Sequence, residues 1–186
     1  VLTADYPGQE GGIAIADVLF GDFNPAGRLP FSVPRSVGQI PLYYNKKAPQ
    51  SHDYVEMSAS PLYPFGYGLS YTSFDYSDLH LSALMPRSFE ISFKVRNTGK
   101  YDGEEVAQLY LRDEYASVVQ PLKQLKHFAR FYLKRGEKRE VKFILSEEDF
   151  SLVDRNLKKI VEPGTFQIMI GAASNDIRLQ TKVEIK

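Results

Sequence analysis

The sequence predicts a mainly β chain: a two-sheet antiparallel sandwich preceded by about seventy residues of different character. Three observations carry that expectation. A period-two alternation of apolar and polar residues recurs from residue 76 to the end, which gives strands with one buried and one wet face. Turn residues fall between the alternating runs. The composition also shifts near residue 72, from Gly, Pro and aromatic residues with one helical stretch to alternating strands.

In the first region, Gly8 to Gly12 (GQEGG) leads into Ile13–Phe20 (IAIADVLF) and stops at Gly21. The apolar residues of this run cover nearly the whole circumference of a helix, as expected of one buried on most sides. Gly21 is placed to be its left-handed C-cap. Asn24 to Gly27 (NPAG) reads as a turn, and Pro30, Pro34 and Pro41 keep the following chain out of helix. This segment is too short to fold alone and resembles the closing edge of an α/β domain whose other elements lie upstream. The start at Val1, inside structured-looking sequence, gives the same expectation of a longer parent.

In the second region a first strand is expected around Tyr76–Leu81. Phe89, Ile91, Phe93 and Val95 then alternate with polar neighbours, as do Val141, Phe143 and Leu145, and Ile177, Leu179, Val183 and Ile185. Val106–Leu111, Phe128–Leu133 and Phe166–Ile170 are more continuously apolar, the mark of central strands. Asn97-Thr98-Gly99, Asp102-Gly103, Arg135-Gly136 and Pro163-Gly164 supply turns, and Ser146–Asp149 (SEED) reads as an N-cap with an acidic first turn. About seven strands suit an immunoglobulin-like sandwich. With neither cysteine nor tryptophan in the chain, the Cys…Trp…Cys core of true immunoglobulin domains is absent and a fibronectin-III-like sandwich fits better.

Composition narrows the functional classes. The 186 residues are 43% hydrophobic and 25% charged, and 23 basic residues balance 23 acidic ones. A chain that gripped nucleic acid or acidic lipid by charge would show a basic excess. The basic pairs Lys134-Arg135 and Lys138-Arg139 are separated by Gly136 and Glu137 and read as a solvated turn. No apolar run approaches the roughly 20 residues that span a bilayer.

Three segments together resemble glycoside hydrolase family 3. They are Tyr6–Gly12 (YPGQEGG) with its helix and Gly21–Pro30 (GDFNPAGRLP); Pro61–Thr72 (PLYPFGYGLSYT); and the sandwich, with VRNTG at 95–99, GEEVAQLY at 103–110, PLKQLK at 121–126 and EPGTF at 162–166. Their order and spacing make the match specific. The resemblance implies that residues 1–72 are the incomplete C-terminal part of an α/β sandwich domain and 73–186 a fibronectin type III-like β-sandwich. It further implies a parent that is a retaining β-glycosidase, with β-glucosidase the default and β-xylosidase close behind. Such an enzyme uses a pair of carboxyl groups about 5–5.5 Å apart; the nucleophile and acid/base are both expected upstream, so no catalytic residue is expected in this chain. No cofactor and no metal are implied. The partners implied are the upstream catalytic domains and a β-linked oligosaccharide or glucoside, and the compartment is periplasmic or secreted. The alternative class is a non-catalytic carbohydrate- or surface-binding module, although no obvious row of exposed aromatics is legible in the strands.

Several individual residues suit plainer roles than catalysis or ligand binding. Glu10, among glycines at a helix start, suits the helix dipole better than acid catalysis. Asp22 and Asn24 lack the further oxygen ligands of a calcium loop. His52, His80 and His127 lack the short paired spacings of a zinc site, and the last two fall in strands. Gly8, Gly11 and Gly12 do not fit a nucleotide-binding glycine motif. Tyr63 to Tyr71, with glycines between bulky rings, reads as close packing between the two regions. Tyr43, Tyr44 and His52, in irregular sequence between Pro-rich stretches, are the substrate-contact candidates.

Overall fold

The computed structural model describes residues 2–47 and 53–186. The first region contributes one helix, α1 (Gly11–Phe20), closed by Gly21 at φ +90° with its N–H on the Asp17 carbonyl. The left-handed C-cap is thus where the sequence places it. Between α1 and Phe74 the described residues are irregular apart from a 3-10 turn at Val37–Gln39. The chain doubles back on itself: Val33 bridges Tyr63, Leu29 N–H donates to Tyr67 O, and Gly66 N–H donates to Leu29 O. The stretches 29–33 and 62–67 are therefore held against each other.

From Phe74 onward nine strands follow: β1 (Phe74–Met85), β2 (Ser88–Asn97), β3 (Gly103–Asp113), β4 (Gln124–Leu133), β5 (Lys138–Leu145), β6 (Leu152–Val153), β7 (Lys159–Ile160), β8 (Gly164–Ala173) and β9 (Asp176–Ile185). They pair antiparallel as a three-stranded sheet, β1-β2-β5, a four-stranded sheet, β4-β3-β8-β9, and a small β6-β7 ribbon. The seven long strands make the three-on-four sandwich the periodicity predicts.

The expected inward residues fill the space between the sheets. Ile91, Phe93 and Val95 of β2, Val141, Phe143 and Leu145 of β5, Leu109 and Leu111 of β3, and Ile168 and Ile170 of β8 are buried together. Each such side chain stabilises the fold by roughly 1.5–3 kcal/mol through removal from water. Ring contacts add direction: Tyr76 stacks on Phe93, Phe93 tilts against Phe143, and Phe150 meets Phe166 edge-on. Phe150 reaches the core from the short 3-10 turn Glu147–Phe150, where the Asp149 carboxylate accepts from both the N–H and the hydroxyl of Ser146.

Three expectations need correction. β3 and β8 are central, but β4 is an edge strand with β3 as its one neighbour. Its outward residues Phe128 and Tyr132 are accordingly exposed, and its apolar sequence was a poor guide to position. The β6-β7 ribbon was not foreseen, because two-residue strands carry no period. Finally, α1 is not buried on most sides. Gly11 is its one buried residue, and Ile13, Leu19 and Phe20 are exposed, because the described residues place no second layer over that face.

Candidate functional site

The segment before Thr72 is joined to the outer face of the four-stranded sheet by a set of polar and aromatic contacts. β3 points Gln108 and Tyr110 outward, yet both are buried. The Gln108 amide donates to Gly66 O at 3.1 Å and Ala172 O at 2.6 Å, and its carbonyl accepts from the Tyr110 hydroxyl at 2.5 Å. Ser174 N–H donates to Phe65 O. Gly66, at φ +80°, approaches so closely that an added Cβ would lie 2.1 Å from Gln108 Oε1, and one on Gly68 would lie 2.1 Å from Gly27 O. The glycines between bulky rings do mark close backbone packing. Burial holds the Tyr110 phenol well above its ordinary pKa, so it remains a donor.

At the end of the sandwich Arg28 reaches Glu105 of β3, with Nη2 2.8 Å from Oε1. Glu105 is 2% exposed, and Oε1 also accepts from Val106 N–H. A buried carboxylate needs such partners, because an uncompensated charge out of water is costly. The junction itself turns on Asn97, fully buried at the end of β2. Its carbonyl accepts from Thr72 Oγ1 and Gly99 N, and its amide donates to Tyr101 O and Leu133 O. All four side-chain positions are used.

Two open cavities flank this interface. A cleft of about 790 Å³ lies between the end of α1 and the sandwich, edged by the exposed rings of Phe20, Phe23, Tyr71, Tyr101 and Tyr132 and by Asp102 and Glu104. Asn24 ties its floor together: Oδ1 accepts from Ser70 Oγ and Tyr71 N, and Nδ2 donates to Asp102 O. The second, about 1170 Å³ and more polar, is bounded by residues 67–70 and 72–77, Arg28, Glu105 and Arg178.

The sequence-predicted candidates are separated by the structure. Glu10 is exposed at the start of α1 and makes no capping hydrogen bond. His80 is an exposed residue of β1, and His127 stacks on Phe143 with Nε2 3.6 Å from Asp149 Oδ1. Among the described residues no group of three or more His, Cys, Asp or Glu side chains could hold a metal ion. Tyr44 is half-buried, its ring stacked on Phe65 at 4.1 Å and edge-on to Tyr110 at 6.1 Å, and its hydroxyl accepts from Leu125 N–H at 3.2 Å. Tyr43 beside it is 66% exposed. His52 lies outside the described residues. The interlocking residues Gln108, Glu105 and Asn97 were missed as individuals. Polar residues inside otherwise apolar strand sequence were the one available signal.

Comparison with known proteins gives this architecture a class. Residues 1–71 match the glycosyl hydrolase family 3 C-terminal domain, and residues 105–174 match a fibronectin type III-like domain. Residues 1–71 thus carry the C-terminal domain of glycosyl hydrolase family 3. It is 45% identical over 192 residues to a periplasmic β-glucosidase of Salmonella typhimurium, covering 96% of this chain and 25% of that protein. It is 44% identical over 188 residues to a β-xylosidase of Formosa agariphila, covering 97% of this chain and 26% of the relative. Among solved structures, a β-glucosidase from Erythrobacter marinus superposes with a TM-score of 0.91 at 43% identity, over 97% of this chain and 24% of its own. A mutant β-glucosidase from Listeria innocua, in complex with laminaribiose, gives a TM-score of 0.89 at 36% identity, over 97% and 27%. The chain thus spans about a quarter of the length of these relatives.

Proposed function

We propose that this chain is the C-terminal structural portion of a retaining β-glycosidase, by default a β-glucosidase, that hydrolyses terminal β-linked sugars with catalytic carboxyl groups lying elsewhere in the enzyme. Residues 1–72 are its part of an incomplete α/β sandwich domain and 73–186 the fibronectin type III-like sandwich. The observation that carries this reading is the role of Glu105. It is the one buried carboxylate among the described residues, and it is committed to Arg28 and Val106 N–H as a joint between the two segments. A retaining mechanism instead needs two carboxyl groups free to face one glycosidic bond. The exposed apolar face of α1, Ile13, Leu19 and Phe20, is the surface on which the catalytic domains pack. The glycoside substrate is met through the full-length enzyme, with Tyr43, Tyr44 and His52 as this chain's contact candidates and Tyr43 carrying the exposed ring. A periplasmic or secreted location follows the Salmonella relative.

The test is hydrolysis of a chromogenic β-glucoside by the full-length enzyme and by this chain alone. Turnover is expected from the first and none from the second. Turnover by the isolated chain would overturn the assignment of both catalytic groups to other domains.

The aromatic cleft at the end of α1 favours a second reading, a glycan-binding surface, since exposed rings beside carboxylates suit the faces and hydroxyls of sugars. Retention of the chain on an insoluble β-glucan, lost on Tyr101→Ala with Tyr132→Ala, would support it. Elution in the void regardless of substitution would remove it.

A further inference from the structure

Tyr43 and Tyr44 are chain neighbours with opposite surroundings, and the difference has a definite source. Everything that holds Tyr44 converges from the interface: the Phe65 ring on its face, the Tyr110 ring at its edge, and the Leu125 N–H on its phenol oxygen. Tyr110 belongs to β3 and Leu125 to β4, so two of the three contacts come from the sandwich. Immediately after Tyr44 the chain lies along the segment that enters β4. Leu122 N–H donates to Lys46 O at 3.0 Å, and Lys47 bridges Pro121. The socket is itself braced, since the Tyr110 hydroxyl is held by Gln108, whose amide binds Gly66 and Ala172. Tyr43 makes no such contact and stands 66% exposed, one residue from this fixed point.

We propose that Tyr44 is a positioning residue: it fixes the backbone that presents the exposed Tyr43 ring, and through it the fibronectin-type sandwich acts on glycoside binding. This rests on the reading that Tyr43 meets the substrate. An aromatic ring on irregular chain would sample many orientations. Ordering it before binding removes the entropic cost of immobilising the side chain, and more where backbone is ordered too. The effect belongs to ground-state binding and should therefore be read in KM rather than kcat.

The experiment uses the full-length enzyme, with KM and kcat measured on a chromogenic β-glucoside. Tyr43→Ala, removing the contact, and Tyr44→Leu, removing the anchor, should each raise KM about 10-fold, with kcat within about twofold of the parent. Tyr44→Phe keeps the ring stack and loses only the phenol oxygen, so its KM should rise no more than about threefold. Tyr110→Leu, which opens the socket from the sandwich side, should match Tyr44→Leu, and the double variant should add little to either. Tyr44→Phe preserves packing and keeps the test informative if Tyr44→Leu fails to fold. A Tyr43→Ala enzyme with parental KM would sink the contact reading itself. A raised KM in Tyr43→Ala beside a parental KM in Tyr44→Leu would overturn the positioning role while leaving that reading intact. A Tyr44→Phe enzyme as impaired as Tyr44→Leu, or a loss confined to kcat, would also overturn it.

Discussion

Replacing Gly66 with alanine attacks the interlock at its tightest point. The residue sits at φ +80°, a conformation that an L side chain reaches at a penalty of about 1–2 kcal/mol. The new Cβ would also lie 2.1 Å from Gln108 Oε1 and 2.9 Å from Cδ, so the amide must move. Gln108 is 3% exposed and serves three hydrogen bonds, to Gly66 O, Ala172 O and the Tyr110 hydroxyl. Each buried group stranded by that movement costs about 1–3 kcal/mol. Loss of one or two bonds with the φ penalty gives a destabilisation of about 3–5 kcal/mol. For a chain of this size that lowers Tm by roughly 10 °C. Thermal unfolding followed by near-UV circular dichroism measures it, with Gly12→Ala as the control. Gly12 lies inside α1 with nothing within 4 Å of an added Cβ, and the change there should be neutral or stabilising by up to about 1 kcal/mol. In a Gln108→Ala background the steric part disappears, and Gly66→Ala should then cost only the φ term. A Gly66→Ala protein melting within about 2 °C of the parent would refute the steric and conformational reasoning together.

Three further outcomes are expected. Asn97→Asp replaces an amide that donates to Tyr101 O and Leu133 O with a carboxylate that repels both; chemical denaturation should show a loss of about 3 kcal/mol or more. Arg28→Met strands the buried Glu105 carboxylate and should destabilise by about 3–5 kcal/mol, while Arg28→Met with Glu105→Met recovers most of the loss; a double variant as unstable as the single would contradict the pairing. The Asp102 carboxyl accepts from Arg135 N–H and the Tyr132 hydroxyl, which holds its pKa below the ordinary 3.8. A folded-state pKa below the unfolded one contributes stability that is present above about pH 3.8 and lost as pH falls through the lower folded value. Unfolding scans between pH 5 and about pH 2 should therefore show a steeper acid loss for the parent than for Asp102→Asn.

The legibility of this chain follows the range of the forces involved. Strand β2, the helix stop at Gly21 and the turn at Arg135-Gly136 are set by neighbours in sequence, through side-chain alternation and backbone φ, and all three appear where the sequence places them. The family resemblance in residues 1–72 was legible for a related reason, since motifs such as PLYPFGYGLSYT are local strings. β4 lies at a sheet edge despite its apolar sequence, because apolar content does not say how many neighbours a strand has.

What the sequence alone determined is the alternation that makes a sandwich, the turns that divide it and the family that its motifs resemble. Tertiary structure alone decided which polar residues become joints. Gln108 and Glu105 are ordinary strand residues until the segment before Thr72 folds onto β3 and the sandwich end and takes them out of water. It also decided the unequal environments of Tyr43 and Tyr44, identical side chains one residue apart, because the rings and the N–H that hold Tyr44 come from Phe65, Tyr110 and Leu125. Contacts across 21 to 81 positions of chain leave no period in the sequence; only the folded backbone brings them into range.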